Sequence, residues 1–247
     1  MKVSIVTVTY NSAATVEDTI KSVVNQDYKN IEYIIIDGLS KDNTLDIVNK
    51  YKDKIALVVS EKDQGIYDAI SKGIKKATGD IVVALNSDDM YASNDVISKV
   101  AELFKNSHAD AVYGDLNYVD RNDTTKIVRK WKSGTYKKGQ FLKGWMPPHP
   151  TFFVRKHCYE KYGSFNLTLK SAADYELMLR FIHKHHIKLA YLPQLIVNMR
   201  AGGQSNVSIK NRLNANKEDR KAWELNGLKP GFFTLIRKPL SKIKQYF

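Results

Sequence analysis

The chain has 247 residues, 43% of them hydrophobic and 26% charged, with a single cysteine and a formal charge of +13. That balance fits a folded protein with a sizeable core, and it excludes a disordered chain, an intrachain disulfide and a cysteine zinc cluster. The charge is unevenly held: residues 1–120 carry 13 Lys and no Arg against 19 acids, whereas residues 121–247 carry 26 basic residues against 7 acids.

Val3–Thr9 is a β-branched run and reads as a strand. From Ser12 onward, Val16, Ile20, Val23 and Val24 recur at helical spacing. Ile31–Asp37 reads as a second strand, Thr44–Lys52 as a short helix and Ile55–Val59 as a third strand. A helix over Ile66–Ala77 ends at the turn Thr78-Gly79-Asp80, and Ile81–Leu85 is the fourth strand. Ser93 then caps a helix with Val96, Ile97, Val100 and Phe104 inward. Alternation of this kind implies an α/β protein with a mostly parallel sheet covered by helices on both faces.

Beyond residue 110 the pattern changes. Ala111–Val119 and Thr125–Trp131 read as a hairpin turning at Arg121-Asn122-Asp123. A basic, aromatic region runs to Trp145-Met146-Pro147-Pro148-His149-Pro150, followed by a short strand at Thr151–Val154 and a helix at Asp174–His183. Ala201–Ser205 is a loop, and 207–247 read as two helices joined at Asn226–Pro230. In the second of these, Phe232, Ile236, Leu240, Ile243 and Phe247 alternate with basic residues, which suits a membrane surface or a terminal helix packed on the domain. No stretch approaches the roughly 20 apolar residues of a membrane span, and the N-terminus lacks a signal-peptide pattern.

Ligands of such sheets bind beyond the carboxyl ends of the strands. Three strand ends here are polar: Thr9-Tyr10-Asn11, Asp37-Gly38 and Asn86-Ser87-Asp88-Asp89. The phosphate loops G-x-G-x-x-G and G-x-x-x-x-G-K-[ST] are missing, so a bound diphosphate needs its charge neutralised by other means. A divalent cation held by carboxylates at a strand end would do this: one of Asp88 and Asp89 takes the metal, the other can take a ribose hydroxyl, and the cation relieves the repulsion between them. The structural alternative is that one of them caps the helix near Ser93. His183, His185 and His186 suit a helix C-terminus better than a metal site, and Cys158 reads as structural.

The segments "VSIVTVTYN", "IIIDGLSKDNT", "GDIVVALNSDD", "AADYELMLR" and "GGQS", in this order over about residues 1–205, resemble the motifs of family 2 glycosyltransferases of the GT-A fold, in particular bacterial enzymes that build surface polysaccharides. The resemblance implies a catalytic domain over 1–205, with a nucleotide-sugar half (1–108) and an acceptor half (109–205), and a basic helical extension over 206–247. Thr9, Tyr10, Asn11, Asp37, Asp63 and Asp88 match donor-nucleotide positions, and Asp89 matches the metal ligand for Mn2+ or Mg2+. Asp174 matches the catalytic base, with Glu176 as the alternative in the spelling Asp-Tyr-Glu. His149, Arg200 and Ser205 fall where diphosphate or acceptor contacts are expected. The implied activity is inverting transfer of a sugar, from a UDP-sugar first of all, to a saccharide or lipid-linked acceptor. The expected place of work is the cytoplasm, and the basic second half with its apolar-basic tail leads us to expect peripheral association at the inner face of the membrane. The rivals are a nucleotidyltransferase on a similar sheet and a non-catalytic polyanion-binding module, though no nucleic-acid motif is recognised.

Overall fold

A computed structural model describes residues 1–202, 209–231 and 234, and gives only the helical path for 209–216. Ser205 and the apolar-basic tail beyond Thr234 lie outside the described residues.

The first half follows the expected alternation: β1 (Val3–Thr9), α1 (Val16–Val24), β2 (Ile31–Asp37), α2 (Thr44–Asn49), β3 (Leu57–Ser60), α3 (Ile66–Lys76), β4 (Ile81–Asn86) and α4 (Val96–Ser107), with a three-residue strand β5 (Asp89–Tyr91) inserted before α4. β3, β2, β1 and β4 lie side by side and parallel, and β1 is buried along its whole length. Burial on both faces explains why β1, β2 and β4 are continuous apolar runs rather than alternating ones.

The second half extends the same sheet. It contains β6 (Ala111–Val119), β7 (Ile127–Trp131), β8 (Phe153–Arg155), α5 (Lys156–Tyr162), α6 (Ala173–Met178), β9 (Leu189–Arg200) and α7 (Ile209–Leu225). The strand order is β3-β2-β1-β4-β8-β6-β9-β5, with β7 on the other side of β6. The helix expected over Asp174–His183 is α6 running into a π-helical stretch at Leu179–Lys184.

The elements that sequence patterning passed over are β5, α5 and β9. The pattern of β9 is broken by Pro193, and its register against β6 shifts between Tyr113 and Asp115. A proline is tolerated there because a bulge releases it from the hydrogen-bond ladder. Gly114 sits opposite this irregularity; a Cβ on it would lie 2.4 Å from Cδ1 of Ile196 and 3.0 Å from the Gln194 carbonyl oxygen, so a larger residue would have to displace Ile196.

Two apolar layers sandwich the sheet. One gathers Ile5, Ile20, Ile35, Leu85, Val100 and Phe104 under α1 and α4; the other gathers Val6, Ile70, Val82, Phe141, Phe181 and Trp223 under α3, α6 and α7. α7 is integral to this core: Trp223 is fully buried and its indole N–H donates to the Tyr175 hydroxyl at 2.9 Å.

Candidate active site

The polar strand ends fall on one rim, because β1, β2 and β4 are parallel and in register: Thr9 lies beside Asp37, and Val8 beside Asn86. Thr9 is buried, while Tyr10 stands 58% exposed just beyond it. Asn11 takes a left-handed conformation (φ 49°), which asparagine tolerates. This turns its N–H to the Ser40 hydroxyl at 2.8 Å and its side-chain oxygen to the Lys41 N–H at 2.8 Å. Loops β1–α1 and β2–α2 are thereby tied together at the rim.

Asp37 is wholly buried and its carboxylate is well supplied. The Ser40 hydroxyl binds one oxygen, while the Ser40 N–H at 3.0 Å and the Ser60 hydroxyl at 2.6 Å bind the other. Above it, a Cβ on Gly38 would lie 2.4 Å from Oδ2 of Asp63 and 3.5 Å from the Tyr10 ring. Absence of a side chain at Gly38 thus lets Tyr10 and Asp63 converge over the end of β2. Asp63 is steadied by the Gly65 N–H, which donates to Oδ1 at 2.8 Å.

Asp88 and Asp89 follow β4. Asp88 is half-buried, and Asp89 is fully buried. Neither serves as the N-cap of α4, which is Asp95. One Asp89 oxygen accepts from the Asn86 amide at 3.1 Å; the other, Oδ1, has no hydrogen-bond partner among the described residues. Burial, then the neighbouring charge of Asp88, pushes the Asp89 carboxyl well above the usual range, against the opposing pull of Asn86 and Arg200. An orphaned, buried carboxylate oxygen next to a second carboxylate is a hard oxygen donor set, and it fits Mn2+ or Mg2+.

Arg200 ends β9 beside this pair and is only 5% exposed. Its guanidinium pairs with Asp18 of α1 and donates to the Asp88 carbonyl at 2.9 Å. Arg200 therefore clamps α1, β9 and the Asp88–Asp89 turn. Sequence reasoning missed Asp18, since nothing local marks it.

Asp174 opens α6. Its Oδ1 accepts from the Tyr175 N–H at 2.8 Å and from the Tyr67 hydroxyl, at the start of α3, at 3.3 Å. Tyr67 stacks on Phe165 with ring centroids 5.3 Å apart, and the His149 ring meets Phe165 edge-on at 5.5 Å. Burial lowers the His149 pKa, and the charge of Asp174 opposes this. Glu176 is 3% exposed and committed elsewhere: it pairs with Arg180 at 2.9 Å and accepts from Asn226 at 3.0 Å. The loop leading to Asp174 is held by Glu218 of α7, which accepts from the N–H groups of Lys170, Ser171 and Ala172. Tyr67 and Glu218 were not found from sequence; they lie 107 and 44 positions from Asp174, and only the fold brings them near.

A separate cluster lies at the opposite, strand-start edge. His157 Nε2 is 3.3 Å from Asp110 and 3.6 Å from the sulfur of Cys158, so these sequence neighbours do face one another. Burial, with the Asp110 charge, pushes the Cys158 thiol up to about 12, which disfavours a thiolate. His183 and His185 pack on aromatic rings, against Trp223 and Tyr162 respectively. No helix among the described residues is long and apolar enough to cross a membrane.

Comparison with known proteins bears on this rim. The family model described as "Glycosyl transferase family 2" matches residues 4–162. A PGL/p-HBAD biosynthesis glycosyltransferase of Mycobacterium bovis is 27% identical over 211 residues, 83% of this chain and 80% of that protein. An uncharacterized glycosyltransferase of Mycobacterium tuberculosis is 32% identical over 180 residues, 72% of this chain and 68% of that protein. Among solved structures, S. aureus TarS in complex with UDP-GlcNAc superposes with a TM-score of 0.71 at 19% identity, over 92% of this chain and 65% of that one. A mannosyltransferase from Pyrobaculum calidifontis in complex with GDP-Man and Mn2+ gives 0.66 at 19% identity, over 96% and 68%. The chain thus spans just under two thirds of that TarS chain, and at these identities the structural likeness carries the fold alone.

Proposed function

We propose that this chain, which belongs to glycosyl transferase family 2, is an inverting, metal-dependent hexosyltransferase that uses a nucleotide diphosphate sugar, with a UDP-sugar as the first candidate donor. The observation that carries the proposal is the Asp89 oxygen left without a hydrogen-bond partner among the described residues, buried beside Asp88 on the rim that also bears Tyr10 and Asp63. Nucleotide-sugar complexes of fold neighbours, one with Mn2+, support the choice of ligand.

In this scheme Thr9, Tyr10, Asn11, Asp37 and Asp63 receive the nucleoside, with the Tyr10 ring and the Asp63 carboxylate over Gly38 as the direct contacts. Asp88 and Asp89 would hold a divalent cation, which when bound would supply positive charge against the departing diphosphate. Asp174 accepts the proton of the acceptor hydroxyl as that oxygen attacks the anomeric carbon from the face opposite the nucleotide. With Oδ1 engaged by Tyr67 and Tyr175, Oδ2 is the atom that takes the proton. The pairing of Glu176 with Arg180 and Asn226 supports Asp174 over Glu176 in this role. His149 borders the acceptor, Arg200 acts by fixing the Asp88–Asp89 turn, and the Ser205 loop contributes to the diphosphate site.

The division into a donor half (1–108), an acceptor half (109–205) and an extension from 206 belongs to the same proposal, as does a saccharide or lipid-linked acceptor met at the cytoplasmic face of a membrane. Isothermal titration with UDP, and with GDP as comparison, in the presence and absence of Mn2+ or Mg2+ tests it. Tight UDP binding that requires the cation is expected; equal binding without metal rejects the role of Asp89, and preference for GDP rejects the donor choice.

A further inference from the structure

The β6–β7 hairpin and the segment after it form a surface that the donor site does not use. Residues 121–143 contain eight Lys or Arg and one acid, Asp123, in a protein whose first 120 residues have more acids than bases. Within the same stretch Ile127 is 46% exposed, Val128 40% and Leu142 39%. Single exposed aliphatic residues need no explanation, but three within one strongly basic segment do.

The segment is held in place rather than loosely attached. Among the described residues β7 pairs with β6 alone, so its other edge pairs with no described strand. The Arg129 guanidinium covers the Tyr118 ring at 3.7 Å, which stiffens the hairpin. The chain beyond β7 is fastened to β6 by the Tyr113 hydroxyl, which donates to the Gly134 carbonyl and accepts from the Tyr136 N–H, both at 2.8 Å. The Ser133 hydroxyl adds a bond to the Gly114 carbonyl at 2.6 Å. Further along, the Thr234 hydroxyl donates to the Leu142 carbonyl at 2.7 Å. Residues 235–247, which follow Thr234 in the sequence, hold four basic residues and no acid.

We propose that the β6–β7 hairpin, with the adjoining segment through Lys143, is the face by which the protein docks on an anionic lipid surface. Basic side chains attract such a surface within a Debye length, and Ile127, Val128 and Leu142 supply the short apolar insertion that charge alone lacks. A second copy pairing through the β7 edge would bring like charges together, which disfavours it. Nucleic acid is matched by exposed aromatic stacking platforms, whereas the exposed residues here are aliphatic. The inference rests on the peripheral association proposed above and sharpens it by assigning the contact to the β6–β7 hairpin and the segment after it.

Co-sedimentation of the full chain with phosphatidylcholine vesicles, and with vesicles containing phosphatidylglycerol, tests it. The wild type binds only the anionic vesicles, and salt weakens the binding. The variant K126E/K130E/K132E loses about tenfold or more in partitioning. The variant I127S/V128S still binds at low salt but is released at moderate salt. If the charge-reversal variant partitions like the wild type while deletion of 235–247 abolishes binding, the hairpin proposal fails and the tail remains as the anchor. If the wild type ignores both vesicles, or binds an RNA homopolymer in their place, both membrane readings fail. UDP titration with Mn2+ on the same variants reports separately on the donor site and on folding; its failure in the wild type rejects the donor reading without touching this one.

Discussion

Two buried carboxylates stand at opposite ends of the same sheet and differ in everything but burial. Glu32, at the strand-start edge, receives the Lys2 ammonium at 2.8 Å, the Ser4 and Thr78 hydroxyls and the Thr78 N–H. Burial pushes its pKa up, but Lys2, Ser4 and Thr78 more than reverse this and bring it down to about 2. Asp89, at the carboxyl rim, has one side-chain hydrogen bond, one orphaned oxygen and a raised pKa. A carboxylate saturated by partners holds the fold together. One left without partners is costly in isolation, and it is accounted for when a ligand completes it.

The sharpest way to break this comparison is to neutralise each acid in turn. Asp89→Asn should abolish cation-dependent nucleotide binding and turnover while leaving the metal-free melting temperature unchanged or higher, because a neutral amide costs less to bury than an uncompensated charge. Titration calorimetry and thermal melting check both halves. Cation affinity in the wild type should weaken as pH falls, since a proton competes with the metal for Asp89. Asp89→Asn melting well below the wild type would make Asp89 a second Glu32.

The next largest effect concerns the other two carboxylates at issue. Asp174→Asn should keep nucleotide and metal affinity and lose about 10²–10⁴ in transfer rate, the usual cost of removing a general base. Glu176→Gln should do the reverse, lowering the melting temperature by breaking its pairing with Arg180 while the folded fraction stays active. An inactive Glu176→Gln variant beside an active Asp174→Asn would exchange the two roles.

For Glu32 the expectation is one of stability against pH. Its folded pKa, about 2, lies below the unfolded value near 4.5, so its contribution is complete above about pH 4.5 and is lost as pH falls toward 2. The shift corresponds to roughly 3 kcal/mol at neutral pH. Glu32→Gln should therefore be less stable than the wild type in urea at pH 7, with the gap closing at acid pH. A gap that stays constant from pH 7 to pH 3 would mean that the ionised carboxylate is not the stabilising species.

Smallest is Tyr67→Phe, which keeps the stacking on Phe165 but removes the hydroxyl from Asp174. A loss of about tenfold in kcat with unchanged donor KM is expected, within the range of one lost charged hydrogen bond. A change in donor KM alone would move Tyr67 from the base to the nucleotide.

The amino-acid sequence by itself determined the parallel half of the sheet and the position of its polar rim. β-branched runs, helical spacing and abrupt polar stops are local signals, and they placed Asp37, Asp88 and Asp89 at strand ends; Asp174 was singled out by the order of the motifs alone, and its role stays a proposal. What only the tertiary structure decided depends on partners distant in the chain. β9 escaped because Pro193 and a bulge blur its alternation, and the strand is recognisable only once β6 lies beside it. The different surroundings of Asp174 and Glu176 rest on Arg180, Asn226 and Tyr67, and Arg200 is paired with Asp18, 182 positions away. Spacing in a sequence tells which side chains share a face; which of them find a partner across the fold, and which are left for a ligand, is settled by packing between segments that the sequence keeps far apart.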